Sequence, residues 1–89
     1  MLNRKQMEDL RAEIMRATGV WGGSISVYGN GRFEIRDINE SDINRVYAFL
    51  MRWGKVHNLY RTHRYDFTHL DYTGKPKTKY TVIGDCEIH

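Results

Sequence analysis

Apolar side chains recur along this chain at helical spacing, then at alternate positions, and the sequence of spacings repeats. Met7, Leu10, Ile14 and Ala17 share one face at helical spacing, which predicts a helix over Leu2–Thr18. Asn3 followed by Gln6 resembles a capping box at its start, and Gly19 suits the left-handed residue just past its end. Between Ser24 and Asp37 the apolar positions alternate instead. A two-residue turn at Asn30-Gly31 would oppose Val27 to Glu34. A three-residue loop, Gly29-Asn30-Gly31, opposes Val27 to Phe33 and Ile25 to Ile35 on one face, so the pattern predicts that loop with Gly31 left-handed. Ile43, Val46, Tyr47, Leu50 and Trp53 then return to helical spacing, with Gly54 as the stop and Asp37 with Glu40, or Asn39 with Asp42, as caps. Lys55 to Tyr72 reads as a long strand, Thr73-Gly74-Lys75-Pro76 as a turn, and Lys77 to Ile88 as the return strand. Pairing Tyr72 with Lys75 would bring Phe67 to Tyr80 and Tyr65 to Val82.

The order α-ββ-α-ββ predicts an α+β domain with a four-stranded antiparallel sheet, one face covered by two helices. Leu10, Ile14, Ile25, Val27, Phe33, Ile35, Val46, Leu50 and Trp53 are the expected core. With 89 residues the chain makes one small domain over residues 1–89, near the lower limit for a single core. Apolar residues are 40% and aromatics 12%, so aromatic rings must supply much of the buried area. Small basic domains of this kind gain stability by association, and a homodimer or a stabilising partner is expected.

Charge adds a location. Lys and Arg number 14 against 11 Asp and Glu, a net +3. From Arg52 to Lys79 there are seven Lys or Arg against two Asp, with three His. A single cysteine, Cys86, cannot form an internal disulfide, which points to a reducing, cytoplasmic compartment. No long apolar run is present, so no membrane association is expected.

Candidate chemistry is sparse. His63, Asp66, His69 and Asp71 are metal-ligand types, but six residues of strand span roughly 20 Å, so His63 and His69 cannot share an ion. Strand alternation sends Asp66 to the opposite face and leaves only His69 with Asp71, too few ligands, so no metal or other cofactor is expected. Cys86 with His89 sits at a chain end, a poor place to exclude water, and reads as a structural cysteine. Glu34, Asp37, Glu40 and Asp42 gather where the second helix starts and read as caps. Gly19 to Gly23 lacks the lysine and the strand-loop-helix context of a phosphate loop. The strongest functional signal is basic and aromatic: Lys55, His57, Arg61, His63, Arg64, Tyr65, Lys75, Lys77, Lys79 and Tyr80, interleaved with Tyr60, Phe67 and Tyr72. Such residues on an open sheet contact phosphates through Arg and Lys and read bases or sugars through Tyr, His and Arg.

The phrases Gly-Ser-Ile-Ser-Val (Gly23 to Val27), Arg-Phe-Glu-Ile (Arg32 to Ile35), Ile-Asn-Glu-Ser-Asp (Ile38 to Asp42) and Phe-Leu-Met-Arg-Trp-Gly-Lys-Val (Phe49 to Val56), in the order α-ββ-α-ββ, resemble a single LAGLIDADG homing-endonuclease repeat. The resemblance implies a saddle-shaped antiparallel sheet lying in a DNA major groove, with helices that pair two repeats. In that family an acidic metal ligand ends the first helix, a few residues before the Gly-Ser. Here the stretch is Gly19-Val20-Trp21-Gly22-Gly23, and Val20 takes the place of the acid. The resemblance therefore implies a scaffold and DNA binding without metal-assisted cleavage.

These readings converge on a non-enzymatic nucleic-acid-binding protein of phage or mobile-element type, binding DNA or RNA through the basic-aromatic sheet face. The alternatives are a small regulator or inhibitor of a host or partner protein, and a metal-dependent nuclease.

Overall fold

The computed structural model describes residues 1–87. Its elements are α1 (Arg4–Thr18), a short 3-10 turn (Gly22–Ser24), β1 (Ile25–Val27), β2 (Arg32–Asn39), α2 (Glu40–Trp53), β3 (Val56–Leu70) and β4 (Pro76–Cys86). The strands form one antiparallel sheet in the order β1-β2-β4-β3, and both helices pack on one face. No helix among the described residues is long and apolar enough to cross a membrane.

The α1 start is the capping box that Asn3 and Gln6 suggest: the Asn3 carboxamide accepts from the Gln6 N–H, and Gln6 reciprocates on the Asn3 N–H. Gly19 closes the helix with a φ of 73°. In the first hairpin Ile25 faces Ile35 and Val27 faces Phe33, the register that the alternation demands, with Gly31 at φ 90°.

The core joins Ile14 of α1 and Ile43, Val46 and Leu50 of α2 to Ile25, Phe33, Ile35, Ile38, Val82 and Cys86 of the sheet. Leu10, Val27 and Trp53 lie half-buried at its margin. Ile35 and Ile38 are both buried although an uninterrupted strand would send them to opposite faces. The register with β4 shifts between them, and Asp37 adopts a φ of 57°, so a bulge resets the alternation. On β3 the register shifts between His57 and Tyr60, with Asn58 at φ 52°, and Val56 and Leu59 both reach the core.

Two expectations are overturned. The start of α2 is not capped by side chains: Asn39 occupies the cap position but its carboxamide accepts from Lys79 Nζ, while Asp37 pairs with Arg64 at 2.7 Å. Glu40 and Asp42 remain in the first turn, where their charge suits the helix dipole. The second hairpin also has another register. Arg61 faces Val82, His63 faces Tyr80 and Tyr65 faces Thr78. The chain turns earlier than expected, over Asp71 to Lys75, because the Asp71 carboxylate accepts from the Thr73 N–H, the Thr73 hydroxyl and the Lys75 N–H. These bonds, the Thr73 hydroxyl foremost, hold Asp71 below the usual carboxylate range. The Ile88 end of the expected return strand lies outside the described residues.

Candidate nucleic-acid interface

β2 pairs with β4 only as far as Asn39 opposite Lys79. Beyond that point β3 and β4 continue as a two-stranded arm, which contributes to a molecule 48 Å long and only 24 by 20 Å across. Its β3 side is exposed on both faces, with Tyr65 57% and Phe67 73% exposed, and Tyr72 in the turn beyond is fully exposed. Between residues 60 and 80 stand five Lys or Arg against two Asp, a net +3 that equals the net charge of the whole chain. The remaining residues balance at nine against nine.

The residues singled out from the sequence do not share one surface. Pairing with Val82 and Tyr80 puts Arg61 and His63 on the face that carries the helices, and Tyr65 follows them on that side. Arg61 lies 5.3 Å from the Tyr47 ring centre and donates to Asn44 at 3.2 Å, so α2 holds it. The His63 ring meets Tyr65 and Tyr80 at 5.7 and 5.9 Å between centroids. His57, Arg64, Lys77 and Lys79 occupy the opposite, open face. Lys75 belongs to the turn. Lys55 stands at the far end of β3, bound to Glu13 at 2.6 Å and lying over Trp53, where it ties the sheet to α1. The residues expected on a single face are thus divided between two faces of the second hairpin, with Lys55 and His57 at its far end, away from the arm.

The open face is not a bare cationic plane. Arg64 is paired with Asp37, Arg36 with Glu34 at 3.6 Å, and Arg32 with Asp85 at 3.4 Å. Asp85 is further held by Asn58, the foremost cause of its lowered pKa. Near the arm, Asp37, Arg64, Asp66, His69, Lys77 and Lys79 line a shallow depression of about 290 Å³.

Strand alternation misplaces Asp66 and His69. The register breaks between Asp66 and Leu70, and the irregular stretch brings Asp66 Oδ2 within 3.0 Å of His69 Nδ1. Asp66 also accepts from the Thr68 N–H at 3.0 Å and from the Thr68 hydroxyl, and these contacts hold its carboxyl well below the usual range, the Thr68 hydroxyl contributing most. The signal was legible as a repeated motif: Asp66-Phe67-Thr68 and Asp71-Tyr72-Thr73 both fold so that the aspartate accepts from the threonine two residues on. This cluster does not have the arrangement of a catalytic triad. Thr68 Oγ1 and Asp66 Oδ2 both meet Nδ1 of His69, whereas a relay needs the hydroxyl on the other ring nitrogen.

Among the described residues no group of three or more His, Cys, Asp or Glu is placed to hold a metal ion. Val20 is half-buried against the core. Cys86 is buried, and burial pushes its thiol up to about 11, so it is a packing residue. Compared with known proteins, the chain matches no family, no curated protein and no solved structure.

Proposed function

We propose that this chain is a non-enzymatic nucleic-acid-binding protein whose β3–β4 arm makes the contacts. One observation carries the reading: residues 60–80, which form the arm and its base, hold a net charge equal to that of the entire chain, on strands open to solvent and interleaved with exposed rings. Lys75, Lys77 and Lys79 supply phosphate contacts that need no rearrangement of an ion pair, since none of the three is ion-paired among the described residues and Lys79 is engaged there by the neutral Asn39. Arg64 joins them if a phosphate displaces Asp37. Tyr65, Phe67 and Tyr72 offer stacking platforms, which suit unpaired bases.

Fluorescence anisotropy with labelled duplex DNA, single-stranded DNA and RNA tests the reading. Three lysine-phosphate contacts correspond to a slope of about −2.7 in log affinity against log salt on duplex, a loss of about 40-fold between ~50 and ~200 mM salt. Absence of binding to all three, or affinity indifferent to salt, refutes it. Cleavage of any of them with a divalent metal, abolished by chelation, would make the protein a nuclease instead.

A second reading is supported by the tip itself, where Phe67, Leu70 and Tyr72 are all exposed. An apolar tip of this kind suits a protein partner. Retention of one partner after nuclease treatment, lost on Phe67→Ala with Tyr72→Ala, would favour it over nucleic acid.

A further inference from the structure

We infer that the outer edge of β3 is a homodimer interface, on which a second copy adds its own β3 antiparallel about a two-fold axis at His63. The dimer does not rest on what the arm binds: its seam engages Tyr65 and Arg64 and leaves Lys75, Lys77, Lys79, Phe67 and Tyr72 for a ligand.

Among the described residues β3 is the longest strand and an edge strand, paired with β4 alone in the sheet. The other edge, β1, is three residues long and offers little to a partner. Within β3 the register shifts at both ends, between His57 and Tyr60 and between Asp66 and Leu70. Tyr60 to Asp66 pairs without interruption, contains neither Gly nor Pro, and is exposed up to a half-buried Asp66. An edge of this length and regularity is a template for strand addition.

A second copy is the occupant that the geometry favours. A two-fold axis normal to the sheet keeps like faces together, so residues equally distant from the axis oppose one another. Only an axis at His63 uses the whole uninterrupted run. It sets Tyr60 against Asp66 of the second copy, Arg61 against Tyr65, and Thr62 against Arg64, each pair occurring twice. The tyrosine hydroxyl meets a carboxylate, the guanidinium meets a ring face, and no formally like-charged side chains are opposed. An axis at Arg64 would oppose two guanidiniums, and one at Asp66 would oppose two carboxylates.

The pairing also meets a need of the fold. Beyond Asn39 the arm has only two strands, and a two-stranded ribbon is weakly stable in water. A second β3 lays a further strand alongside Tyr65 and Asp66, where β2 no longer reaches. The two β4 strands then lie three strand spacings apart, roughly 14 Å, so their lysines interact beyond a Debye length of about 10 Å at 0.1 M salt. Dimerisation therefore holds or strengthens as salt rises, opposite to the salt response of nucleic-acid binding.

Disulfide trapping on the full-length chain tests the axis. Cys86 is the only native cysteine and is buried, so a new thiol on β3 is the reactive one. The His63→Cys variant is expected to cross-link with itself under mild oxidation. Arg61→Cys and Tyr65→Cys are expected to remain uncross-linked alone and to cross-link with each other when mixed. Circular dichroism confirms that each variant is folded. Sedimentation equilibrium of the unmodified chain at low and high salt is the companion measurement, with a dimer expected at millimolar concentration in both. A monomer at both salt concentrations, or cross-linking that is equal at all three positions, overturns the inference.

Discussion

Gly84→Ala tests how tightly the sheet is packed beneath the helices. Gly84 lies on β4 opposite Phe33, and a Cβ added there would stand 2.9 Å from Phe33 Cζ, 3.0 Å from Phe33 Cε1 and 3.0 Å from Leu59 Cδ1. Phe33 is fully buried, so its ring has nowhere to retreat, and Leu59 is pinned through the Tyr47 hydroxyl, which donates to its carbonyl. Overpacking of this kind costs about 1–3 kcal/mol. Replacing glycine restricts the unfolded chain and returns ~0.4–1 kcal/mol. With the middle of each range the net loss is about 1.3 kcal/mol, a fall in Tm of roughly 5–10 °C for a domain of this size. Thermal unfolding followed by circular dichroism reads it directly. Phe33→Leu in the Gly84→Ala background should recover part of the loss, because it removes the ring atoms that the new methyl meets. A Gly84→Ala variant that melts with the native protein refutes the packing, as does strict additivity of the two changes.

Other consequences are equally direct. Thr18 is fully buried, donates to the Ile14 carbonyl at 2.8 Å and accepts from the Val20 N–H at 3.2 Å. Thr18→Val keeps the shape but strands that N–H, so chemical denaturation should show a loss of about 1–3 kcal/mol, and unchanged stability would contradict the assignment. Cys86 titrates near 11 when folded against an ordinary 9.0. Between those values only the unfolded chain has released the proton, so stability falls as pH rises from about 9 to about 11. A Cys86→Ala variant should lack that component of the slope, and identical pH profiles would refute it. At the tip, Phe67→Ala and Tyr72→Ala should leave Tm within the ~0.5 kcal/mol range of surface changes while weakening single-stranded nucleic-acid binding. Loss of stability with unchanged binding would reverse that assignment.

The first hairpin was legible and the second was not, for one physical reason. Ile25, Val27, Phe33 and Ile35 meet a core on one side only, so a slip of one residue would bury Glu34, and alternation fixes the register. From Tyr60 to Asp66 both faces of β3 are wet, and polar and aromatic side chains carry no such penalty. Register there is decided by local chemistry instead, through the aspartate-threonine turns at Asp66 and Asp71. Those turns also explain why His69 and Asp66 meet although strand geometry separates them. Asp37 shows the complementary limit. Its place before α2 suggested a cap, yet the bulge that brings Ile38 to the core aims its carboxylate at Arg64.

The basic and aromatic character of the arm was readable residue by residue, whereas its division between two faces was not. Parity depends on a register that only the bulges determine. Lys55 belongs to the same run of sequence, but it sits before those bulges and serves α1.

The most direct measurement is the salt slope of nucleic-acid affinity for the native chain beside a Lys75→Gln, Lys77→Gln, Lys79→Gln triple variant. The native slope of about −2.7 on duplex DNA is expected to collapse toward zero in the variant while Tm is retained. An unchanged slope in the folded variant would contradict the claim that the arm carries the contacts.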